Sequence, residues 1–108
     1  MKTPDEINLN YSRAVRQAEW LEGRARELEN LANTDFQECL ANIEANWKGE
    51  NARIFIGKGN KLKGDLEKSA DQLGRVAKSI RSAAKRTRDA DIAARNIALS
   101  SGSDGEPR

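Results

Sequence analysis

Apolar residues in the first half of the chain recur at alternating steps of four and three: Ile7, Tyr11, Ala14, Ala18, Leu21, Ala25, Leu28 and Ala32. That spacing puts them on one stripe of an α-helix and is incompatible with the alternation of a half-buried strand. The second half carries a comparable seam: Phe55, Leu62, Leu66, Ser69, Leu73, Val76, Ile80, Ala83, Thr87, Ala90, Ala94 and Ile97. Between the two patterns lies Trp47-Lys48-Gly49. Two long helices with one short interruption require a sharp reversal, and Gly supplies backbone conformations that other residues resist. A large aromatic beside the reversal can fill the gap where the helix ends splay. The expected fold is all-α, an antiparallel helix-turn-helix hairpin spanning residues 1–99, with helix 1 at about 4–46, the bend at 47–49 and helix 2 at about 51–99.

The start of helix 1 is well marked. Thr3 suits the N-cap, Pro4 the first helical position, Asp5 and Glu6 the positive helix end, and Thr3-x-x-Glu6 forms a capping box. Beyond Ala32 the seam continues through Phe36, Leu40, Ile43 and Trp47, and the steps from Leu28 to Leu40 are all fours. Such a stutter locally unwinds a supercoil. Asn33-Thr34-Asp35 sits inside it, and the expectation is one continuous, slightly bent helix. Gly57, Gly59 and Gly64 weaken early helix 2 by up to about 1 kcal/mol each, so fraying or a kink is expected between 56 and 64. Ala70, Ala77 and Ala84 form a ladder of small side chains beside the expected seam. Residues 100–108 contain no apolar side chain and read as a disordered tail.

A chain of 108 residues allows one domain, and a two-helix hairpin of that length has a single thin seam. Burial of more apolar surface needs a partner. Leu9, Trp20 and Leu31, spaced by eleven, form a second apolar stripe roughly 120° from the seam. They are the candidate dimer interface. Residues 1–47 carry a net charge of −4 and residues 48–108 a net charge of +6, so the two helices complement each other electrostatically. No run of 18 apolar residues exists for a membrane span, and the N-terminus lacks the apolar core of a cleaved secretion signal.

Chemistry-bearing groups are sparse. With no His and a single Cys, internal disulfides and nearly all metal sites are excluded, and neither a metal nor a cofactor is expected. No catalytic residue is assigned: there is no His base, and a hairpin builds no enclosed pocket, so an enzyme is not expected. Cys39 is expected as a buried, inert thiol flanked by Phe36 and Ile43. Gly57-Lys58-Gly59-Asn60-Lys61 lacks the spacing and preceding strand of a phosphate loop. Arg75, Lys78, Arg81, Lys85, Arg86 and Arg88 form a run without an acid until Asp89. These six are expected to project from the seam as a basic face. It would be a solvated face paired with acidic helix 1, or else a site for an anionic partner such as nucleic acid or an acidic protein. Nucleic acid is the disfavoured occupant.

The central segment Ile43-Glu44-Ala45-Asn46-Trp47-Lys48-Gly49-Glu50-Asn51-Ala52 resembles the bend of the WXG family, the small proteins exported by type VII (Esx) secretion systems of Gram-positive bacteria and mycobacteria. Phe55, eight residues after Trp47, is similar to the family's early helix-2 aromatic. The resemblance implies a hairpin that dimerises into an antiparallel four-helix bundle, with itself or with a related WXG-like protein. It implies a bend motif at Trp47 and Gly49 that contributes to recognition. It also implies a non-enzymatic role as a secreted substrate, or as a co-exported adaptor and chaperone of a larger effector with an N-terminal helical region, acting in virulence or interbacterial competition. The secretion ATPase is a further implied partner. Localisation would be cytoplasmic before export, then secreted or at the cell surface. The family's Tyr-x-x-x-Asp/Glu export signal after helix 2 is absent, because the only tyrosine is Tyr11. The alternative expectation is a cytosolic coiled-coil protein that binds an anionic partner through the basic face of helix 2.

Overall fold

Capping chemistry starts the first helix where the residues permit it. The Glu6 backbone N–H donates to Thr3 Oγ1 at 3.1 Å, the Thr3 hydroxyl donates to Glu6 Oε1 at 3.3 Å, and the Ile7 N–H bonds to the Thr3 carbonyl at 3.0 Å. The Thr3 side chain thus occupies the Glu6 N–H, a donor that the helix itself leaves unpaired, and the Ile7 N–H makes the first i→i−4 bond. In the computed structural model, which describes residues 1–105 and places side chains through residue 101, the first arm comprises α1 (Pro4–Asn30), a π-helical stretch (Leu31–Phe36) and α2 (Gln37–Asn46). The second arm is one helix, α3 (Glu50–Gly105), so helix extends past residue 99, where apolar residues cease. Residues 106–108 of the expected disordered tail lie outside the described residues. Among the described residues there is no strand, and the two long arms pack against each other as a helical hairpin.

The π-helical stretch replaces the continuous α-helix expected from the sequence, and the spacing explains it. Four-residue steps in an α-helix drift about 40° each, so three of them, from Leu28 to Leu40, would carry the stripe about 120° off the seam. A π-turn closes i→i+5 and winds about 4.4 residues per turn, so six such residues rotate roughly 110° less than six α-helical ones. The two quantities nearly cancel. Accordingly Ala32 is fully buried, Phe36 half-buried and Leu40 buried, all on the inner face.

Contacts divide the chain into two compact units, one formed by residues 1–19 with α3 from Ala77 onward, the other by Trp20–Val76. In the terminal unit Ile7, Ala18, Ala77 and Ala84 are buried. Lys2 Nζ pairs with Asp91 Oδ2 at 3.0 Å, and the Arg95 guanidinium donates to the Lys2 carbonyl at 3.2 Å. In the bend unit Ala32, Leu40, Ala52 and Ala70 are buried, and Leu21, Leu28, Phe36, Ile43, Ile56, Leu66 and Leu73 are half-buried.

The inner face of α3 therefore differs from the expected seam. Leu66, Leu73 and Ile80 do turn inward, but their seam partners are Ala70, Ala77 and Ala84, not Phe55, Leu62 and Val76. Two stripes on α3 share the same leucines. The one completed by alanines lets the backbones approach more closely, and the bulky one is left outside. The glycine-rich start of α3 is unbroken helix. There Gly59 serves the packing: a Cβ built on it would lie 2.5 Å from Leu40 Cδ2, so the absent side chain is the space Leu40 occupies.

Candidate interaction surface

The bend orients the aromatic groups. Trp47 leaves the helix with φ −128° and ψ 124°, while its N–H still donates to the Ile43 carbonyl at 2.8 Å. It thus caps α2 and is not its last helical seam residue. Gly49 follows with φ +111°, a backbone state that L side chains rarely adopt. The Arg53 N–H then bonds to the Gly49 carbonyl at 3.2 Å as α3 begins. The reversal sets the Trp47 ring against the Phe55 ring, with centroids 5.9 Å apart and tilted by 59°. Both rings stay about half exposed, and Ile54 beside them is 52% exposed, so the bend presents an aromatic and aliphatic tip.

A broader apolar face occupies the same unit. Trp20, Leu28 and Leu31 from the first arm and Leu73 from α3 line one open depression of about 650 Å³, rimmed by Arg24, Glu27, Asn30 and Asp35. Trp20 is 60% exposed and Leu31 41%. The Arg24 guanidinium lies 5.5 Å from the centroid of the Trp20 ring and pairs with Glu27 at 2.6 Å. Val76 follows Leu73 by one turn, and Leu62 precedes Leu66 by one turn, so both extend this side of α3; each is nearly half exposed. The structure thus brings Trp20 and Leu31 together. Leu9, also exposed, belongs to the other unit and is not part of this depression. Spacing alone places Phe55, Leu62 and Val76 in the internal seam. The alanine ladder was the signal that could have redirected them outward.

The basic run is less uniform than its sequence suggests. Arg75 pairs with Asp71 on its own helix at 3.1 Å. Arg88 does not join an outer face: its guanidinium carbon lies 4.3 Å from the centroid of the Tyr11 ring, and its Nε donates to Asp89 at 3.4 Å. One turn after Ala84, position 88 borders the inner stripe, and the stem of a long side chain covers apolar surface there. Arg81 is half-buried, while Lys78, Lys85 and Arg86 are exposed.

Cys39 is exposed, a correction to the buried thiol expected from its neighbours. Leu40 takes the inward position, and one helical residue is about 100° of rotation, which turns Cys39 out. It lines a shallow groove with Asp35, Glu38, Asn42, Ile43, Asn46 and Trp47. Among the described residues no group of three or more His, Cys, Asp or Glu could hold a metal ion, and no helix is long and apolar enough to cross a membrane. The chemistry available to these surfaces is apolar and aromatic contact with a polar rim. Comparison with protein-family models, with curated proteins and with solved structures finds no match.

Proposed function

We propose that this chain is a WXG-like helical hairpin of a type VII secretion system, acting as a small exported substrate or as a co-exported adaptor for a larger effector. The observation that carries the reading is the bend: Trp47 caps the first arm with its ring tilted against that of Phe55, and Gly49 makes the reversal at positive φ. A Trp-x-Gly of this kind between two long helical arms is what the sequence resemblance rests on.

The exposed face of the bend unit supports the dimeric part of the proposal. Trp20, Leu31, Leu62 and Val76 are large apolar groups on a thinly cored hairpin, and a partner that covers them adds apolar burial that the seam lacks. Pairing of two such faces would give a four-helix bundle, and the mixed-sign rim of Arg24, Glu27 and Asp35 is compatible with a second copy or a related chain.

The test is export in the native host. An epitope-tagged chain should appear in the culture medium or at the cell surface when the type VII ATPase is intact, and remain in the cytoplasm when that ATPase is deleted. A cytoplasmic enzyme serves as the lysis control. Appearance that does not depend on the ATPase, or complete retention together with no co-purifying WXG-like or effector chain, removes the proposal.

A further inference from the structure

From the π-helical stretch at Leu31–Phe36 we infer that one residue within Asn33-Thr34-Asp35 is a register-setting insertion, which positions Phe36, Leu40, Ile43 and the bend aromatic Trp47. The spacing states the case. Without the extra residue, the heptad that runs Leu21, Ala25, Leu28, Ala32 would continue to Asp35, Cys39, Asn42 and Asn46. Three of those four are strongly polar, and all four are exposed. The apolar set Phe36, Leu40, Ile43 and Trp47 lies one residue further along. The rotation lost over the six π-helical residues, roughly 110°, matches the about 100° contributed by one α-helical residue. The π-turn thus advances the sequence by one residue without turning the face.

Three consequences of the shifted register are visible in the bend unit. Leu40 reaches the notch at Gly59. Trp47, not Asn46, terminates the arm and meets Phe55. The polar stripe of Asp35, Asn42 and Asn46 is kept outside with Cys39, where it lines the groove that leads to Trp47. In an all-α register the same chain would bury that stripe and expose Phe36 and Leu40. The local residues suit the adaptation, since Asn, Thr and Asp side chains compete with regular helix for backbone groups. Asn33, Thr34 and Asp35 are moreover solvent-exposed, so removing one of them deletes no core contact.

The experiment uses deletions in the full chain and the native thiol as a probe. Deletion of Thr34 removes the inserted residue, restores an unbroken heptad through Phe36, Leu40 and Ile43, and should leave helical circular dichroism intact with a melting temperature equal to or above that of the parent. Deletion of Gln17, an exposed residue inside the regular heptad, should abolish the cooperative melt, because it rotates every later inner residue by about 100°. Cys39 of the parent should react with a thiol reagent within a few-fold of the rate of the unfolded chain. The inference is overturned if the Thr34 deletion is as disruptive as the Gln17 deletion, if both are tolerated, or if Cys39 of the parent is protected tenfold or more, the mark of the all-α register.

Discussion

Alanine substitutions at the three glycines of early α3 should have different signs, and the structure supplies the reason. In a helix interior Ala is more favourable than Gly by about 0.5–1 kcal/mol. A Cβ at Gly57 or Gly64 meets nothing within 4 Å, so each substitution should realise that gain. At about 4 °C per kcal/mol for a chain of this size, the paired G57A/G64A variant should melt roughly 4–8 °C above the parent. At Gly59 the new Cβ would lie 2.5 Å from Leu40 Cδ2, more than 1 Å inside ordinary carbon contact of about 3.5–4.0 Å. Leu40 is only 5% exposed, so its side chain cannot swing into solvent without losing burial. Overpacking of this kind costs about 1–3 kcal/mol, which offsets or exceeds the helix-propensity gain, so G59A should leave the melting temperature unchanged or lower it by up to about 10 °C. Thermal melts followed by circular dichroism at fixed protomer concentration measure all three, since association would otherwise shift the midpoint. A double-mutant cycle isolates the cause. In an L40A background carrying the stabilising G57A/G64A pair, G59A should become stabilising, with a coupling of about 1–3 kcal/mol. A G59A melt that rises as far as that of G57A would refute the close approach of Leu40 to α3.

The remaining predictions concern the cap, the reversal and the exposed face. Thr3→Ala removes the side-chain acceptor for the Glu6 N–H and should cost about 1 kcal/mol, read as a drop in denaturation midpoint at unchanged m-value. Gly49→Ala forces a Cβ onto a φ of +111° and should cost about 1–3 kcal/mol, with Gly49→Asn less damaging; equal stability of all three would disprove the strained reversal. Trp20→Ala or Leu31→Glu should weaken self-association or partner binding by about 2 kcal/mol or more, some 30-fold, in sedimentation equilibrium, while the monomer's helical signal is retained. Unchanged association would show that the face is unused. Arg88→Ala should lower stability by about 0.5–1 kcal/mol, and Tyr11→Leu should remove most of that effect if the cation–π contact is its source.

The helical hairpin was legible in the residues because its determinants are local. Thr3, Pro4 and Glu6 mark a helix start through short-range hydrogen bonds, the three-and-four spacing commits each arm to one apolar stripe, and Trp47-Lys48-Gly49 supplies the one place where the backbone can reverse. The half-exposed state of Trp20 and Leu31 was likewise legible, since helical phase alone puts them off the seam. Which stripe of α3 faces inward was not. Phe55, Leu62 and Val76 match the heptad as well as Ala70, Ala77 and Ala84 do, and both sets share Leu66, Leu73 and Ile80. Periodicity cannot choose between them; the distance at which two backbones pack can, and it favours alanine and the Gly59 notch.

The same holds for the π-turn, Cys39 and Arg88. The stutter from Leu28 to Leu40 signalled an irregularity, but only packing against α3 selects a wide turn over a bend, because the wide turn keeps Phe36 and Leu40 on the inner face. Cys39 follows from that choice, turned outward by the residue that fills its expected place. Arg88 is drawn over Tyr11 by an aromatic face that lies 77 residues earlier in the chain. Sequence alone therefore determined the two helical arms, the N-cap at Thr3 and the site of reversal, all products of short-range chemistry. Tertiary structure decided the inner face of α3, the register of α2 and the apolar surface left exposed, because those depend on how closely the two arms can approach.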